Sequence, residues 1–196
     1  MKLQDKLPEG VTVGRKFYRL DFDFRNVLKM MEVLQRDDLM QGAREYLAIK
    51  CLTKRPPKNC GKVLASVLGL LFGEPAEKGD GKKITSFEQD AGMIRAAFRQ
   101  SYGIDLYRDR LHWVEFTELL QNIPEGSRYT EVISIRVRPM PKATKYNAEE
   151  RQRLLEAKSK FAVHLTEAEA AKRYEEDVSN IFASLLKMAG GSETDG

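Results

Sequence analysis

The ten residues VLASVLGLLF, Val63 to Phe72, form the longest apolar run in the chain, and helix breakers fence both of its ends. Upstream, KRPPKNCG carries two prolines, which lack backbone donors and push the residues before them out of helical conformation. Downstream, Gly73 and Pro75 stop the run. Its length is roughly half of what a membrane span needs. The run therefore predicts a helix buried in a protein core, and other elements must supply the walls. A chain of 196 residues, 42% hydrophobic and 32% charged, has enough apolar residues for that core and enough charge for a well-solvated surface.

The same alternation of periodic runs and breakers repeats along the chain. In GVTVGRKFYRL, two short β-branched or aromatic runs flank Gly14 and Arg15, the pattern of a small hairpin. Asp23 is placed to cap a first helix with Val27, Leu28, Met31 and Leu34 on one face. A second helix is expected from about Asp38, its face made by Leu39, Ala43, Tyr46, Leu47 and Lys50. The glycine-rich GEPAEKGDGKK reads as a loop. It does not match a phosphate-binding loop, because the spacing to an earlier glycine and the following hydroxyl are both missing.

Ser86 and Gln89 make a capping box for a fourth helix, with Phe87, Ala91, Ile94, Phe98 and Tyr102 along one side and Gly103 as its left-handed stop. A fifth helix carries Leu111, Phe116, Leu119, Leu120 and Ile123 before Pro124. RYTEVISIRV is read as a helix, although its β-branched residues also suit a strand. Two capping boxes, Asn147 with Glu150 and Thr166 with Glu169, announce the last two helices. The final one shows an apolar stripe of Ala171, Tyr174, Val178, Ile181, Phe182, Leu185 and Ala189. The expected fold is mainly α: a compact bundle of about six to eight helices with a small N-terminal β-hairpin. Residues 1–138 form the helical domain, and 139–196 a basic linker, two C-terminal helices and a disordered tail.

Little in the sequence points to chemistry. His112 has Asp105, Asp109 and Glu115 nearby, but no nucleophile is marked out and neither a GxSxG elbow nor an HExxH pair occurs. A histidine beside the only tryptophan at a helix start more often fixes a turn by bonding backbone. Phe98, Tyr102, Ile104, His112, Trp113 and Phe116 are accordingly expected as structural core, the join between the fourth and fifth helices. Two His and two Cys lack metal-ligand spacing, so no metal and no cofactor is expected. Cys51 and Cys60 read as reduced, buried thiols, and MKLQDKLPEGVTVG lacks the apolar region of a secretory leader.

Charge is unevenly placed. Between Arg128 and Lys160 nine Lys/Arg face four acids, whereas from Glu175 onward one Lys faces five acids. Arg136, Arg138, Lys142 and Lys145, interrupted by Pro139 and Pro141, read as an extended, exposed basic patch. Such arms serve nucleic-acid binding in some proteins, but stacking aromatics are nearly absent, so nucleic acid is not the expected partner and stands as the alternative. The C-terminal stripe, with Tyr174, Val178, Ile181, Phe182 and Leu185, is the better partner-binding candidate. Docking on its own domain, pairing with another copy in a homo-oligomer, and holding a client segment are all open to it.

Four segments in order, YRLDFDFRNVLKM, SFEQDAGMIRAAFRQSYGIDL, LHWVEFTELLQNIP and RYTEVISIRV, resemble the gp-fifteen family of tailed-phage proteins. The resemblance runs from about Val11 to Val137 and leaves the stretch from Pro139 uncovered. Val114 replaces the second aromatic usual in that family, and Arg95 its usual tyrosine. The resemblance implies a non-enzymatic protein of the phage tail gene module, working in the host bacterial cytoplasm. It further implies a tail assembly chaperone whose partners are the tape measure protein and other tail proteins.

Overall fold

A computed structural model describes residues 4–73 and 84–164. The expected C-terminal helix, with Tyr174, Val178, Ile181, Phe182 and Leu185, lies outside the described residues, as does most of the glycine-rich loop. The chain divides into two compact units, Met1–Val137 and Arg138–Gly196.

Strands β1 (Gly10–Val13) and β2 (Lys16–Arg19) pair antiparallel, with Gly10 opposite Arg19 and Val13 opposite Lys16. Gly14, at φ 64°, fills the first position of the two-residue turn, where hairpin twist demands a positive φ. A Cβ on Gly10 would collide with the Tyr18 carbonyl oxygen, so this pairing also needs glycine at the strand's start. Six helices follow among the described residues of the first unit: α1 (Phe24–Leu34), α2 (Gln41–Leu52), α3 (Cys60–Phe72), α4 (Ala91–Tyr102), α5 (Trp113–Gln121) and α6 (Arg128–Val137). Helix α1 packs on α2, α2 on α3, and α3 on β1; α5 touches α1 and α4, and α4 also packs on α6. The fold is thus a mainly helical bundle with a small hairpin, and RYTEVISIRV is a helix.

Local signals acted largely as expected at the ends of elements. Asp23 accepts the Arg25 N–H at the start of α1. Gly103 takes the left-handed conformation after α4, at φ 71°. Ser86 Oγ accepts the Gln89 N–H at 3.2 Å, but this closes a turn, and α4 starts only at Ala91.

The buried faces differ more. In α1 the buried residues are Phe24, Val27 and Met30, while Leu28, Met31 and Leu34 flank them half-buried. Helix α2 begins at Gln41 and buries Ala48, Ile49 and Leu52, leaving Ala43, Tyr46 and Lys50 exposed. Only its C-terminal half meets the core, where Asp21 N–H bonds the Leu52 carbonyl at 2.8 Å. Helix α3 is core over Cys60, Val63, Leu64 and Val67, but Leu70 and Phe72 at its end are 45% and 44% exposed. The apolar run is therefore not buried throughout. None of the helices among the described residues is long and apolar enough to cross a membrane.

In the second unit, α7 (Ala148–Lys160) is described. Asn147 does not cap it. Its Oδ1 accepts Thr144 N–H and its Nδ2 donates to the Lys142 carbonyl, folding the preceding residues into a turn. Arg151 donates to the Pro141 carbonyl. Lys142 and Lys145 are exposed, as expected, but they stand on this tied turn and not on an extended arm.

Candidate functional site

Chain segments about ninety residues apart in sequence meet at the start of α5. Phe24 N–H bonds the Leu111 carbonyl at 3.0 Å and Trp113 N–H the Phe22 carbonyl at 2.7 Å, so Asp23 and His112 sit opposite each other in a short antiparallel bridge. His112 is the N-cap of α5. Its Nδ1 accepts the Val114 N–H at 3.1 Å, and its Nε2 lies 3.0 Å from the Pro8 carbonyl oxygen. A nitrogen that accepts an N–H carries no proton, so the proton resides on Nε2 and is donated to Pro8. Both ring nitrogens are used on backbone, and Phe22 packs edge-on against the ring at 5.7 Å. Neither ring nitrogen bonds Glu115, although it lies one helical turn on. His112 is a clamp on the N-terminal segment.

His112→Ala is expected to cost about 1–2 kcal/mol, the loss of a cap and of the tie to Pro8. Thermal denaturation would register it, and a variant as stable as wild type would contradict the clamp.

Asp23 gathers the charges around this bridge. Its carboxylate, 7% exposed, accepts from Arg25 Nε at 2.9 Å and Arg110 Nε at 3.2 Å; Arg110 also bonds Asp21 at 2.8 and 3.0 Å. Burial would raise the acid's pKa, but the hydrogen bonds and charge of Arg25, helped by Arg110, outweigh it and hold the carboxyl below its usual range. A folded pKa below the unfolded one gives stability that is present above about pH 4 and lost as pH falls through the folded value. Melting temperature followed from pH 6 downward should therefore fall on acidification, and less steeply in Asp23→Asn. Parallel pH profiles would remove Asp23 from the account.

This junction borders an open cleft of about 900 Å³, lined by His112, Asp21, Asp23, Lys50, Arg55 and Arg110 among others. An imidazole beside carboxylates in a cleft has the composition of an acid–base site. The geometry removes that reading, because both imidazole nitrogens are held by backbone and Asp23 is held by two guanidinium groups. General acid–base work requires a group free to reach the reacting proton. Among the described residues no group of three or more His, Cys, Asp or Glu is arranged to hold a metal ion. Cys51 and Cys60 are free thiols, both pushed up in pKa by burial and so held protonated.

The expected core residues come together around Phe116. Phe24 stacks on it at 4.6 Å and 11° and Phe98 at 5.3 Å and 19°, while Trp113 and Phe87 approach at 5.8 and 6.1 Å. Phe98, Trp113 and Phe116 are buried; Tyr102 and Ile104 pack half-buried at the edge. Tyr102 also donates its hydroxyl to the Leu119 carbonyl at 2.9 Å, locking α4 to α5. Trp113 turns partly away from that join, towards Phe72 of α3 at 5.7 Å.

The basic patch is not brought together. Arg136 belongs to α6 and its side chain is only 10% exposed, because it reaches back to Asp90 with bonds of 2.6 and 2.8 Å and to the Ile84 carbonyl at 2.9 Å. Asp90, 1% exposed, also accepts the Ser86 N–H at 2.9 Å. Arg136 is thus a structural cation, and its inclusion in an exposed arm is corrected. Arg138 lies 3.6 Å from Glu150, Arg128 3.2 Å from Glu131 and Arg153 2.5 Å from Glu149. These three pairs use acids of the same segment, so among the described residues only Arg136 of the local excess is neutralised from outside it, by Asp90.

Sequence reasoning found the cap at Asp23 but missed Arg110, and missed the Asp90–Arg136 pair entirely. Neither pairing has a periodic signal, since the partners are 87 and 46 positions apart. It also missed an apolar slot lined by Phe24, Leu28, Ile94, Leu106 and Phe116 with Arg25 and Arg95 at its edge.

No curated protein and no solved structure matches this chain. The family described as Bacteriophage Gp15 protein matches residues 3–163. That match includes α7 and so extends past Val137, where the resemblance in the sequence motifs ended. The segments it spans include the bridge between Asp23 and His112, the aromatic cluster on Phe116 and the Asp90–Arg136 pair. On that coverage, the chain belongs to the bacteriophage Gp15 protein family.

Proposed function

We propose that this protein is a non-enzymatic tail assembly chaperone that binds the tape measure protein of its phage in the host cytoplasm. The observation that carries the reading is the family match over residues 3–163, which supports a place in the phage tail module. The engagement of His112 and Asp23 in structural bonds adds support, since the imidazole and the buried carboxylate of the charged cleft are both held by other groups. A tape measure protein is a long chain with helical apolar stripes, and such surfaces aggregate unless covered. Many copies of a small helical protein, each of modest affinity, cover such a client through multivalency.

Co-expression with the tape measure protein of the same phage tests this. The client should become more soluble and co-purify with the chaperone. If its solubility is unchanged and the two separate cleanly, the reading is lost.

A further inference from the structure

The first unit carries another concave feature, smaller than the charged cleft and different in chemistry. It is a slot of about 270 Å³ between α1 and α4, lined by Phe24, Leu28, Ile94, Leu106, Tyr107 and Phe116. That volume is below the range of cofactor and small-molecule pockets and suits one large side chain. The walls are aromatic and aliphatic, yet the charged residues in the lining are two arginines and no acid.

The two arginines are held differently. Arg25, from α1, is bound through Asp23 at 2.9 and 3.0 Å and through the Asp109 carbonyl at 3.1 Å. Arg95, from α4, makes no ion pair among the described residues. Its guanidinium instead lies over the Tyr107 ring at 4.6 Å, and Tyr107 is itself 70% exposed. A cation resting on a solvent-exposed ring beside an apolar slot has an unmet preference for a carboxylate, and bidentate pairing would satisfy it. An exposed tyrosine at the mouth has little packing to lose by swinging aside. An apolar floor with charge on the rim is the arrangement of an anchor pocket in a protein interface.

We infer that this slot takes one bulky apolar side chain of the tape measure client, with an acidic residue beside that anchor pairing with Arg95. The inference rests on the chaperone reading and adds to it which part of the protein binds and which client sequence is bound. A basic residue next to the anchor is rejected by Arg95 and Arg25 together, so the slot selects acidic-flanked anchors from among the many apolar positions of a helical client.

The test is co-purification of the co-expressed tape measure protein with full-length chaperone, wild type, Arg95→Glu and Ala91→Leu. Charge reversal attacks the rim, and the added side chain at Ala91 fills the slot. Lys54→Glu, on the separate charged cleft, serves as the control. Captured client should fall at least about tenfold with each slot variant, a change typical of one good interface contact, and stay unchanged with the control. Melting curves confirm that each variant is folded, and Tyr107→Ala offers a variant outside the core if Ala91→Leu is not. Overlapping client peptides on an array should bind wild type where an apolar residue has Asp or Glu nearby, and Arg95→Glu should shift the preference to Lys or Arg. Client capture by wild type and slot variants alike overturns the slot while leaving the chaperone reading intact. Absence of capture by wild type removes both. A change of oligomeric state in Arg95→Glu with client capture unchanged would also overturn the proposal, since the slot would then hold another copy of this chain.

Discussion

Arg136→Ala is expected to lower the free energy of unfolding by about 3–5 kcal/mol, the cost of leaving one member of a buried ion pair uncompensated. Asp90, 1% exposed in the wild type, would lose both guanidinium bonds, with only the Ser86 N–H still donating to it. The Ile84 carbonyl would lose its donor as well. For a unit of this size the melting temperature should fall by roughly 10 °C or more. Arg136→Lys should recover only part of this, because an ammonium cannot reproduce the forked pair of bonds. The double change Asp90→Leu with Arg136→Met should be milder than either single truncation, since neither residue is then left as a lone buried charge. The alternative for Arg136, a contact to nucleic acid, predicts the opposite: unchanged melting and weaker retention on heparin. That result would return Arg136 to the exposed patch.

The contrast between what was legible and what was not follows the range of the interactions. Asp23, Gly14 and Gly103 act within a turn of chain, and each did what its residue type does locally. The seven helices among the described residues and the hairpin followed from the same short-range signals. Which face of a helix is buried depends on its neighbours, so α2 turned Ala48, Ile49 and Leu52 inward where spacing alone favoured Tyr46 and Leu47. Arg136 shows the same limit in electrostatics. Four basic residues around two prolines look like an exposed arm until a buried acid 46 positions earlier claims one of them. His112 was the opposite case. Its position next to Trp113 at a helix start was enough to assign it to backbone, though Pro8, 104 positions away, could not have been named as the partner. The slot beside Arg95 had no sequence signature, because its lining comes from separate stretches whose apolar residues all read simply as core.

Phe116→Ala is the second large effect, expected to cost about 3–5 kcal/mol through lost burial and an unfilled cavity. Phe116 is 1% exposed and, among the described residues, is the only ring that touches four others, from α1, α4, its own helix and the turn before α4. Helices α1 and α4 both reach α5 at this ring, so its removal should loosen the bundle beyond one contact. Phe116→Leu keeps most of the volume and loses the ring stacking, and should cost about 1–2 kcal/mol. Urea unfolding followed by the fluorescence of Trp113, the sole tryptophan and 5.8 Å from Phe116, reads the change beside the cavity. The midpoint should drop with the slope unchanged if the native state stays compact. If Phe116→Ala unfolds at nearly the wild-type midpoint, the rings around it collapse into the space without cost. The aromatic cluster would then need a role other than joining helices, and the slot that shares Phe24 and Phe116 would be the first place to look for it.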